Sequence, residues 1–330
     1  MDLPRIKAYL ESNNFPAYRL RQIQQNYFSA RFKNFAQMSD LPLTLRTELE
    51  KISSLYSVSS SKLLSGENSQ KSVLQLHDGL QIETVVMDYG QWLTACISTQ
   101  VGCPLACTFC ATGKMGLKRN LSVDEIVDQI LFWNNTLAPK YIGRVVFMGM
   151  GEPFLNWDNL GAALKIINTD IGIGARKMSI STAGVAPRII DFANMNTQIN
   201  LAVSLHSADQ DTREQMMPIA RQYKLPELKA ALDYYTAKTN RQVFFEYLLA
   251  KNINDSDYHL EMLIDFIKSN QLYYLNLIPL NPIKGGLIPS PRLDKFSSTL
   301  SDRNINFSVR QSIGRSIDSA CGQLIVENKV

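Results

Sequence analysis

The feature that most constrains the fold is a regular alternation of strand-like and helix-like segments from about residue 93 onward. The strand candidates are WLTACIS, GRVVFM, RKMSIS, INLAVSL, QVFFEYLL, YYLNLIP and INFSV. Helix-like stretches separate them, and Ser122 and Glu125 form a predicted capping box at the start of SVDEIVDQILFWNN. Strands that alternate with helices form a parallel sheet. We therefore predict an α/β fold whose six or seven strand and helix units build an open or partial (β/α) barrel.

The segment before the barrel is predicted to contain a helical domain and a β-hairpin. Apolar residues recur at helical spacing in the first 53 residues, and the polar stretches at 59–61 and 66–69 mark a linker. Two alternating segments, SVLQL and LQIETVV, flank Asp78-Gly79, a pair typical of a hairpin turn. We expect a helical N-terminal domain at 1–65, a hairpin extension at 66–92, the barrel at 93–310 and a C-terminal tail at 311–330.

Composition and charge exclude several classes of protein. A chain of 330 residues with 45% hydrophobic and 19% charged residues is neither disordered nor of low complexity. It has no apolar run of about 18 residues and no signal-peptide pattern, so we expect a cytoplasmic protein without a membrane segment. The net charge of +4 arises from residues 1–65, which contain nine Lys or Arg and five Asp or Glu. This excess is compatible with contacts to nucleic-acid phosphates, although a solvated helical face explains it equally well.

The cysteines indicate metal or redox chemistry. An odd number, five, in a chain without a secretion signal argues against a disulfide framework. Cys103, Cys107 and Cys110 lie in one loop after the first barrel strand, whereas Cys96 and Cys321 lie apart from them. Three thiolates leave a fourth metal position open, which a closed zinc site does not. Their spacing favours a 4Fe-4S cluster with one iron free to bind another ligand.

Small polar groups follow several other strands at the same predicted end of the barrel. The turn Gly149-Met150-Gly151-Glu152-Pro153 follows one strand, and its glycines allow the backbone and the Glu152 carboxylate to approach a ligand. The other candidates at strand ends are Ser181, Ser204, Leu205, His206 and Asn281. Each taken singly is more typical of a turn or a helix cap, but together they predict a ligand site.

The cysteine spacing, with Phe109 before the last thiol, resembles the signature of the radical S-adenosylmethionine (SAM) superfamily. Over its whole length the chain resembles the RlmN and Cfr family of radical SAM adenine methyltransferases. The segments that carry this resemblance are IETVV, CISTQVGCPLACTFCATG, LKRNLSVDEI, FMGMGEPFLN, SISTAGVAP, SLHSAD, NLIPLNP and IDSACGQL. The resemblance implies a 4Fe-4S cluster on Cys103, Cys107 and Cys110. It also implies SAM in contact with Gly151, Glu152, Ser181, Ser204, Leu205, His206 and Asn281.

The same resemblance implies roles for three further residues. Cys321 takes a methyl group from one SAM molecule, and a second SAM molecule provides the radical that activates this group for addition to adenine. Cys96 then resolves the protein–RNA link, leaving a disulfide. Glu83 removes the proton from the attacked carbon. Without the resemblance, Glu83 on an alternating hairpin strand would be a solvent-facing carboxylate, and Cys96 a buried strand residue.

The resemblance also implies an RNA substrate and an external reductant. By this resemblance, Pro153 and Pro279 favour methylation at carbon 2 of adenine. The expected substrate is an adenine in the peptidyl transferase region of 23S rRNA. A second expected substrate is an adenine in a tRNA anticodon loop. Gln91 to Thr94 before Cys96, and Ser316 in the tail, depart from the carbon-2 pattern. We expect a flavodoxin-like electron donor and a monomeric protein. Arg310 or Arg315 is expected to favour the Cys321 thiolate. The residues expected to contact RNA phosphates are Arg19, Arg21, Lys118 and Arg119. The alternatives are a carbon-8 enzyme, another radical SAM enzyme such as a protein activase, and a zinc-stabilised RNA-binding module.

Overall fold

The computed structural model describes residues 1–311 and 313–326. In the described residues the strands β1 to β12 are, in chain order, Val58–Ser65, Ser69–Leu76, Gln81–Asp88, Leu93–Cys96, Gln100–Gly102, Leu117–Asn120, Ile142–Phe147, Met178–Thr182, Asn200–Ser204, Val243–Leu249, Tyr273–Pro279 and Phe307–Val309. The helices α1 to α10 are Leu3–Ser12, Tyr18–Phe28, Leu43–Ile52, Val123–Leu137, Trp157–Thr169, Ala186–Asn194, Gln210–Met216, Leu225–Thr239, Asp257–Lys268 and Leu293–Asp302.

Ten of the strands form one sheet at the centre of the molecule. Its order is β1-β2-β3-β4-β7-β8-β9-β10-β11-β12, antiparallel from β1 to β4 and parallel from β4 to β12. The seven predicted barrel strands are β4, β7, β8, β9, β10, β11 and β12, so the predicted α/β fold is confirmed. Because β1 and β12 are the two edges, the sheet stays open. The carboxyl ends of its parallel strands lie along one rim.

Local sequence signals explain where the main elements begin and turn. The predicted capping box is present at α4, where the Glu125 amide donates to Ser122 Oγ at 3.3 Å and the Ser122 amide donates to Glu125 Oε2 at 2.9 Å. The predicted hairpin is β2 and β3, and its turn places Gly79 at φ +81°, a conformation that glycine adopts without strain. Val85 of β3 pairs with Cys96 of β4, so the hairpin continues the barrel sheet.

The sequence predicted a linker at 59–61 and a helical N-terminal domain that extends to residue 65. Both predictions are wrong for the residues of β1. Helix α3 ends at Ile52, and residues 59–61 lie in β1, which pairs with β2 at the edge of the sheet. Most side chains of β1 are exposed on both faces, so the strand has no alternation of apolar and polar residues. Its backbone pairing with β2 therefore holds a segment whose composition is typical of a loop. The short ribbon of β5 and β6 was also not predicted.

The N-terminal helices are fixed to the barrel through Asp128 of α4, which is fully buried. Its carboxylate accepts hydrogen bonds from the Tyr27 hydroxyl at 2.5 Å and from both the amide and the hydroxyl of Ser57 at 2.6 Å. The Met1 amino group lies 3.9 Å from the same carboxylate. Burial raises the pKa of Asp128, and these partners oppose the rise. The basic N-terminal segment is thus held in a defined position relative to the sheet.

Candidate active site

The three clustered cysteines lie in the loop between β5 and β6. The Cys103 amide donates to the Gly116 carbonyl at 3.1 Å, which joins the two ends of the loop, and the Thr108 amide in its middle donates to the Met216 carbonyl at 3.0 Å. Cys103, Cys107 and Cys110 all line a cavity of about 170 Å³ at the carboxyl ends of the parallel strands, hereafter the first cavity. Sequence reasoning placed the three thiols together, and the structure places them around one space.

Most of the predicted cofactor residues line the same first cavity. Gly151, Glu152, Ser181, Ser204, His206 and Asn281 all contribute to its walls. Gly151 has φ +101°, and a Cβ there would lie 2.5 Å from the Gln100 side chain, so this turn requires glycine. Leu205 is placed differently, because its side chain is buried in the core and is not part of the cavity wall.

Glu152 is one of two carboxylates that line this cavity, the other being Glu246. Its carboxylate accepts hydrogen bonds from the Ala183 amide at 2.7 Å and from the Phe154 amide at 3.1 Å. Burial raises the pKa of Glu152 to about 7, although these amides favour the ionised form. A carboxylate held by backbone amides in a buried site is suited to receiving an ammonium group, because its orientation is already fixed.

His206 contributes shape rather than charge. Its ring packs edge-on against Phe109 of the cysteine loop, with 4.6 Å between ring centroids, and its Nδ1 accepts a hydrogen bond from the Leu248 amide. Burial lowers the pKa of His206 to about 3, so the ring is neutral. The backbone groups of Leu205 are also engaged, since its amide donates to the Glu246 carbonyl and its carbonyl accepts from Arg213.

Sequence reasoning missed two charged residues of the first-cavity region, Arg213 and Glu246, and it named Arg310 only as a neighbour of the Cys321 thiol. Arg213 is fully buried, donates to the carbonyls of Leu205, Ala183 and Ser204, and has one Nη without a partner in the described residues. Glu246 and Arg310 pair at 2.9 Å in the cavity wall, and Glu246 Oε2 is likewise buried and unpartnered in the described part of the chain. A detectable signal was the single charge of Glu246 inside the apolar run VFFEYLL.

The C-terminal tail brings Cys321 to the cysteine loop. The Ala111 amide donates to the Gly322 carbonyl at 2.7 Å, and the Asn281 side chain donates to the Cys321 carbonyl at 3.2 Å. Cys321 lines the first cavity and also an adjoining cavity of about 440 Å³, hereafter the second cavity. Cys96 lines the second cavity, and both cysteines have free thiols. Cys321 therefore stands at the boundary between the two spaces.

Burial and a nearby cation have opposite effects on these two thiols. Burial raises the pKa of Cys96 to about 12, and burial also raises the pKa of Cys321. The Arg310 guanidinium opposes both increases. Of the two arginines expected to favour the Cys321 thiolate, Arg310 therefore acts on it, whereas Arg315 donates to the Asn281 side chain at 2.8 Å.

Glu83 is not the solvent-facing carboxylate that its strand pattern would otherwise suggest. Its side chain is buried, with Oε1 2.9 Å from the Lys71 ammonium and Oε2 accepting from the Ile325 amide at 2.9 Å. It lines neither the first nor the second cavity, but a third cavity of about 510 Å³ beneath the tail. The structure thus brings Glu83 to the tail that carries Cys321, and not into the space shared by Cys321 and Cys96.

Comparison with known proteins identifies the family. Residues 97–264 match the Radical SAM superfamily. The chain is 40% identical to the Bacillus velezensis protein named "Probable dual-specificity RNA methyltransferase RlmN", over 98% of this chain and 91% of that protein, and the Bacillus subtilis protein of the same name matches with the same identity and coverage. The chain belongs to the RlmN family of radical SAM RNA methyltransferases. A radical SAM methyltransferase from Sphaerobacter thermophilus is 37% identical, with a TM-score of 0.91 over 98% of this chain and 97% of that one.

Membership of this family implies a 4Fe-4S cluster and SAM, and the first cavity fits both groups. Within residues 1–311 and 313–326, no three Cys, His, Asp or Glu side chains converge on a single-ion position, although three cysteines line one cavity. Burial raises the pKa of Cys107, and the neighbouring Arg213 guanidinium opposes this. The buried Arg213 guanidinium, which has one Nη without a partner among the described residues, fits an anionic occupant beside the thiols, and the Glu152 carboxylate fits an ammonium group.

One residue expected to contact phosphates has a structural role instead. Arg119 donates to Asp78 at 2.6 Å and to both carboxylate oxygens of the buried Glu125, and so connects the hairpin turn to α4. We therefore assign Arg119 this structural role and do not carry the expected phosphate contact forward. Arg21 and Lys118 are exposed, and Arg19 donates to Gln22 and to the Asp40 carbonyl.

No helix in the described part of the chain is long and apolar enough to span a membrane.

Proposed function

We propose that this RlmN-family protein methylates carbon 2 of an adenine in the peptidyl transferase region of 23S rRNA, with a tRNA anticodon-loop adenine as a second substrate. The observation that carries the proposal is the position of Cys321, which lines the first and the second cavity together. A thiol at this boundary is within reach of a cofactor on one side and of a substrate base on the other. Cys96 lines the second cavity, and this position supports its role on the substrate side.

The first cavity holds the cofactors in this proposal. Cys103, Cys107 and Cys110 would ligate the 4Fe-4S cluster, and Gly151 and Glu152 would receive the SAM ammonium group. Ser181, Ser204, His206 and Asn281 would contact the rest of SAM, and Leu205 would shape the site from the core. When bound, the cluster and SAM supply an organic radical that removes hydrogen from a methyl group. Arg213 supports this assignment, because it places a buried positive charge beside the thiolate ligands.

Cys321 acts as the methyl carrier, and two molecules of SAM are used per turnover. The Cys321 sulfur would take its methyl group from the first of them. After hydrogen removal, the Cys321 methylene would add to the adenine carbon, which bears no lone pair and cannot attack a sulfonium. The adduct would lose the proton of that carbon to Glu83 and return one electron to the cofactors. The Cys96 thiolate would then attack the Cys321 sulfur, so that a Cys96–Cys321 disulfide forms, while the electron pair of the broken carbon–sulfur bond and one proton complete the new methyl group. Two electrons from an external thiol reductant restore the two thiols.

Glu83 acts as the general base for the proton on the attacked carbon. Its carboxylate lies beneath the tail, hydrogen-bonded to the Ile325 amide four residues beyond Cys321. Movement of the tail during the methyl-transfer cycle would expose it toward the base. A general base needs access as well as a suitable pKa, and the tail controls that access.

The second cavity receives the target adenine. Tyr89 lines this cavity and is 46% exposed. The ring centroids of Tyr89 and Trp92 are 6.2 Å apart. The Arg144 guanidinium carbon lies 4.1 Å from the centroid of the Trp92 ring. Enzymes that modify a base take it out of its stack, and aromatic side chains replace the lost stacking. An exposed aromatic ring close to both catalytic cysteines is suited to this role.

The proposal includes a monomeric enzyme in the cytoplasm and a flavodoxin-like donor that reduces the cluster. Pro153 and Pro279 support the choice of carbon 2 over carbon 8. Both residues begin or end elements at the first-cavity rim, Pro153 at the start of a 3-10 helix and Pro279 at the end of β11. A carbon-8 product is the second candidate, because the cysteine arrangement suits either carbon.

The deciding experiment is anaerobic turnover with SAM and 23S rRNA that lacks the modification, followed by nucleoside mass spectrometry. The expected product is 2-methyladenosine, and the same assay on unmodified tRNA tests the second substrate. An 8-methyladenosine peak would replace the carbon-2 assignment with the second candidate. Release of 5′-deoxyadenosine without any methylated adenosine would overturn the proposed substrate.

A further inference from the structure

A buried lysine connects the proposed general base to the tail that carries the methyl-accepting cysteine. Lys71 Nζ lies 2.9 Å from Glu83 Oε1 and donates to the Asp318 carbonyl at 2.9 Å. Both side chains are almost fully buried, with the Lys71 residue 6% and the Glu83 residue 3% exposed. The ammonium group therefore interacts at once with the reacting carboxylate and with the backbone of the tail three residues before Cys321.

The strand register explains this pair. Val73 pairs with Glu83 and Lys71 pairs with Val85 in the β2–β3 ladder, so Lys71 and Glu83 are diagonal neighbours on one face of the hairpin. The other Glu83 oxygen accepts from the Ile325 amide. The tail is thus attached to this pair on both sides of Cys321, through Asp318 before it and Ile325 after it.

The groups that face Glu83 give the pair its electrostatic character. Burial disfavours the carboxylate, and Asp318 adds a further negative charge, so both raise the pKa of Glu83. Lys71 and the Ile325 amide oppose them. Lys62 lines the same third cavity from β1, but it is exposed and no contact joins it to Glu83. Withdrawal of the tail would remove both the Ile325 hydrogen bond and the Asp318 charge, and Lys71 on β2 would stay as the charged partner of the Glu83 carboxylate.

We propose that Lys71 is a positioning residue that keeps Glu83 ionised and oriented while the tail moves, and that it releases the tail carbonyl as Glu83 becomes the base. This inference rests on the proposed role of Glu83. In the step concerned, the proton on the attacked adenine carbon passes to a Glu83 oxygen, and the electron pair of the broken carbon–hydrogen bond stays with the adenine ring. Lys71 keeps its proton throughout, because it acts through Glu83 and does not touch the substrate.

The test uses Lys71→Met and Lys71→Arg in the cluster-loaded full-length enzyme with unmodified 23S rRNA. Single-turnover RNA methylation is measured from pH 6 to pH 9, and methylation of Cys321 is measured separately by peptide mass spectrometry. In Lys71→Met we expect Cys321 methylation to persist and RNA methylation to fall roughly tenfold at pH 6.5. The rate should recover toward the wild-type value at pH 9, because Glu83 without its cation ionises only at higher pH. Lys71→Arg should restore the wild-type profile.

Lys62→Met is the matched control, because it removes a positive charge from the same cavity without touching Glu83. Its pH profile should keep the wild-type position. Lys71→Met could instead lower the rate while the rate still declines at the same acidic pH as in the wild-type enzyme. That result would mean a merely structural role for Lys71 and would overturn the inference. If Lys71→Met does not bind its cluster or methylate Cys321, Lys71→Gln replaces it, since glutamine keeps a donor without the charge and predicts the same shift.

Glu83→Gln separates the two levels of the argument. If Glu83→Gln methylates RNA at the wild-type rate, the proposed role of Glu83 fails and the role of Lys71 fails with it. If Glu83→Gln is inactive in RNA methylation and Lys71→Met behaves as the wild-type enzyme at every pH, the inference about Lys71 alone is wrong.

Discussion

The Ala111 amide donates a hydrogen bond of 2.7 Å to the carbonyl of Gly322, and this bond joins the cysteine loop to the C-terminal tail across 211 positions of the sequence. Gly322 has φ +83°, and a Cβ there would lie 2.9 Å from the Phe109 carbonyl, so the close contact depends on glycine. The residue before it is Cys321, which is thereby held beside Cys110 at the meeting point of two cavities.

Substitution of the two isolated cysteines should stop the reaction at different points. In Cys96→Ala we expect a covalent protein–RNA adduct to accumulate, because the thiol that breaks the carbon–sulfur bond is missing. In Cys321→Ala we expect no adduct, because the methyl acceptor is missing. Denaturing gel electrophoresis with and without ribonuclease measures the adduct. Both variants should keep their iron content, whereas Cys103→Ala should lose it, and an adduct in Cys321→Ala would contradict the assignment.

SAM binding should depend on pH through Glu152. The pKa of Glu152 is raised to about 7, so the carboxylate that would receive the SAM ammonium is mostly protonated at pH 6 and mostly ionised at pH 8. We expect the Kd for SAM to increase by up to about tenfold per pH unit as the pH falls below 7. Anaerobic equilibrium dialysis of the cluster-loaded enzyme measures it. Glu152→Gln should bind SAM roughly 10-fold to 100-fold more weakly, with a flat profile over this range. A wild-type profile that is flat from pH 6 to pH 8 would argue against the contact.

Tyr89 should contribute to RNA affinity through its ring. Loss of one base-stacking side chain costs about 1–3 kcal/mol, so Tyr89→Ala should raise the KM for rRNA by roughly 5-fold to 160-fold. Tyr89→Phe is the matched control, because it keeps the ring and should stay within about twofold of the wild-type KM. Steady-state methylation at saturating SAM gives both values. Equal losses in the two variants would assign the effect to the hydroxyl instead of to stacking.

The exposed basic residues should contribute to RNA binding in a salt-dependent way. The double variant Arg21→Gln, Lys118→Gln removes two exposed positive charges. It should reduce the slope of log Kd against log salt concentration by about 1.5. Filter binding between 50 and 200 mM salt measures the slope. Arg119→Gln should keep the slope and instead lower the free energy of unfolding by about 2 kcal/mol, since the buried Glu125 loses both hydrogen bonds from the guanidinium and keeps the one from the Ser122 amide. An unchanged slope in the double variant would make these residues part of a solvated face.

The sequence predicted the elements whose periodicity is strong. The parallel strands are buried apolar runs, and the three clustered cysteines and the polar strand ends follow from their placement at one rim of the sheet. Strand β1 was not predicted, because its exposed Ser and Lys side chains resemble a linker and only backbone pairing with β2 makes it a strand.

The periodicity of the sequence could not predict contacts between segments that are distant along the chain. Nothing local indicates that Asp318 and Ile325 meet Lys71 and Glu83, since these pairs depend on the path of the tail. Arg119 illustrates the opposite case, because a basic residue after the cysteine loop suggests phosphate binding until its two carboxylate partners are seen. The Lys71–Glu83 pair itself follows from the hairpin register once the turn at Asp78-Gly79 is fixed.

Among the described residues, the open sheet leaves two edge strands, β1 and β12, with no further strand paired to their outer sides. Such strands are where separate chains add to one another and aggregate. Strand β1 is irregular between Ser60 and Lys62, and its exposed residues are mostly serine and lysine. Strand β12, at the other edge, has only three residues. An approaching strand would therefore find neither a regular hydrogen-bonding ladder nor an apolar face, so this unclosed sheet resists uncontrolled self-association.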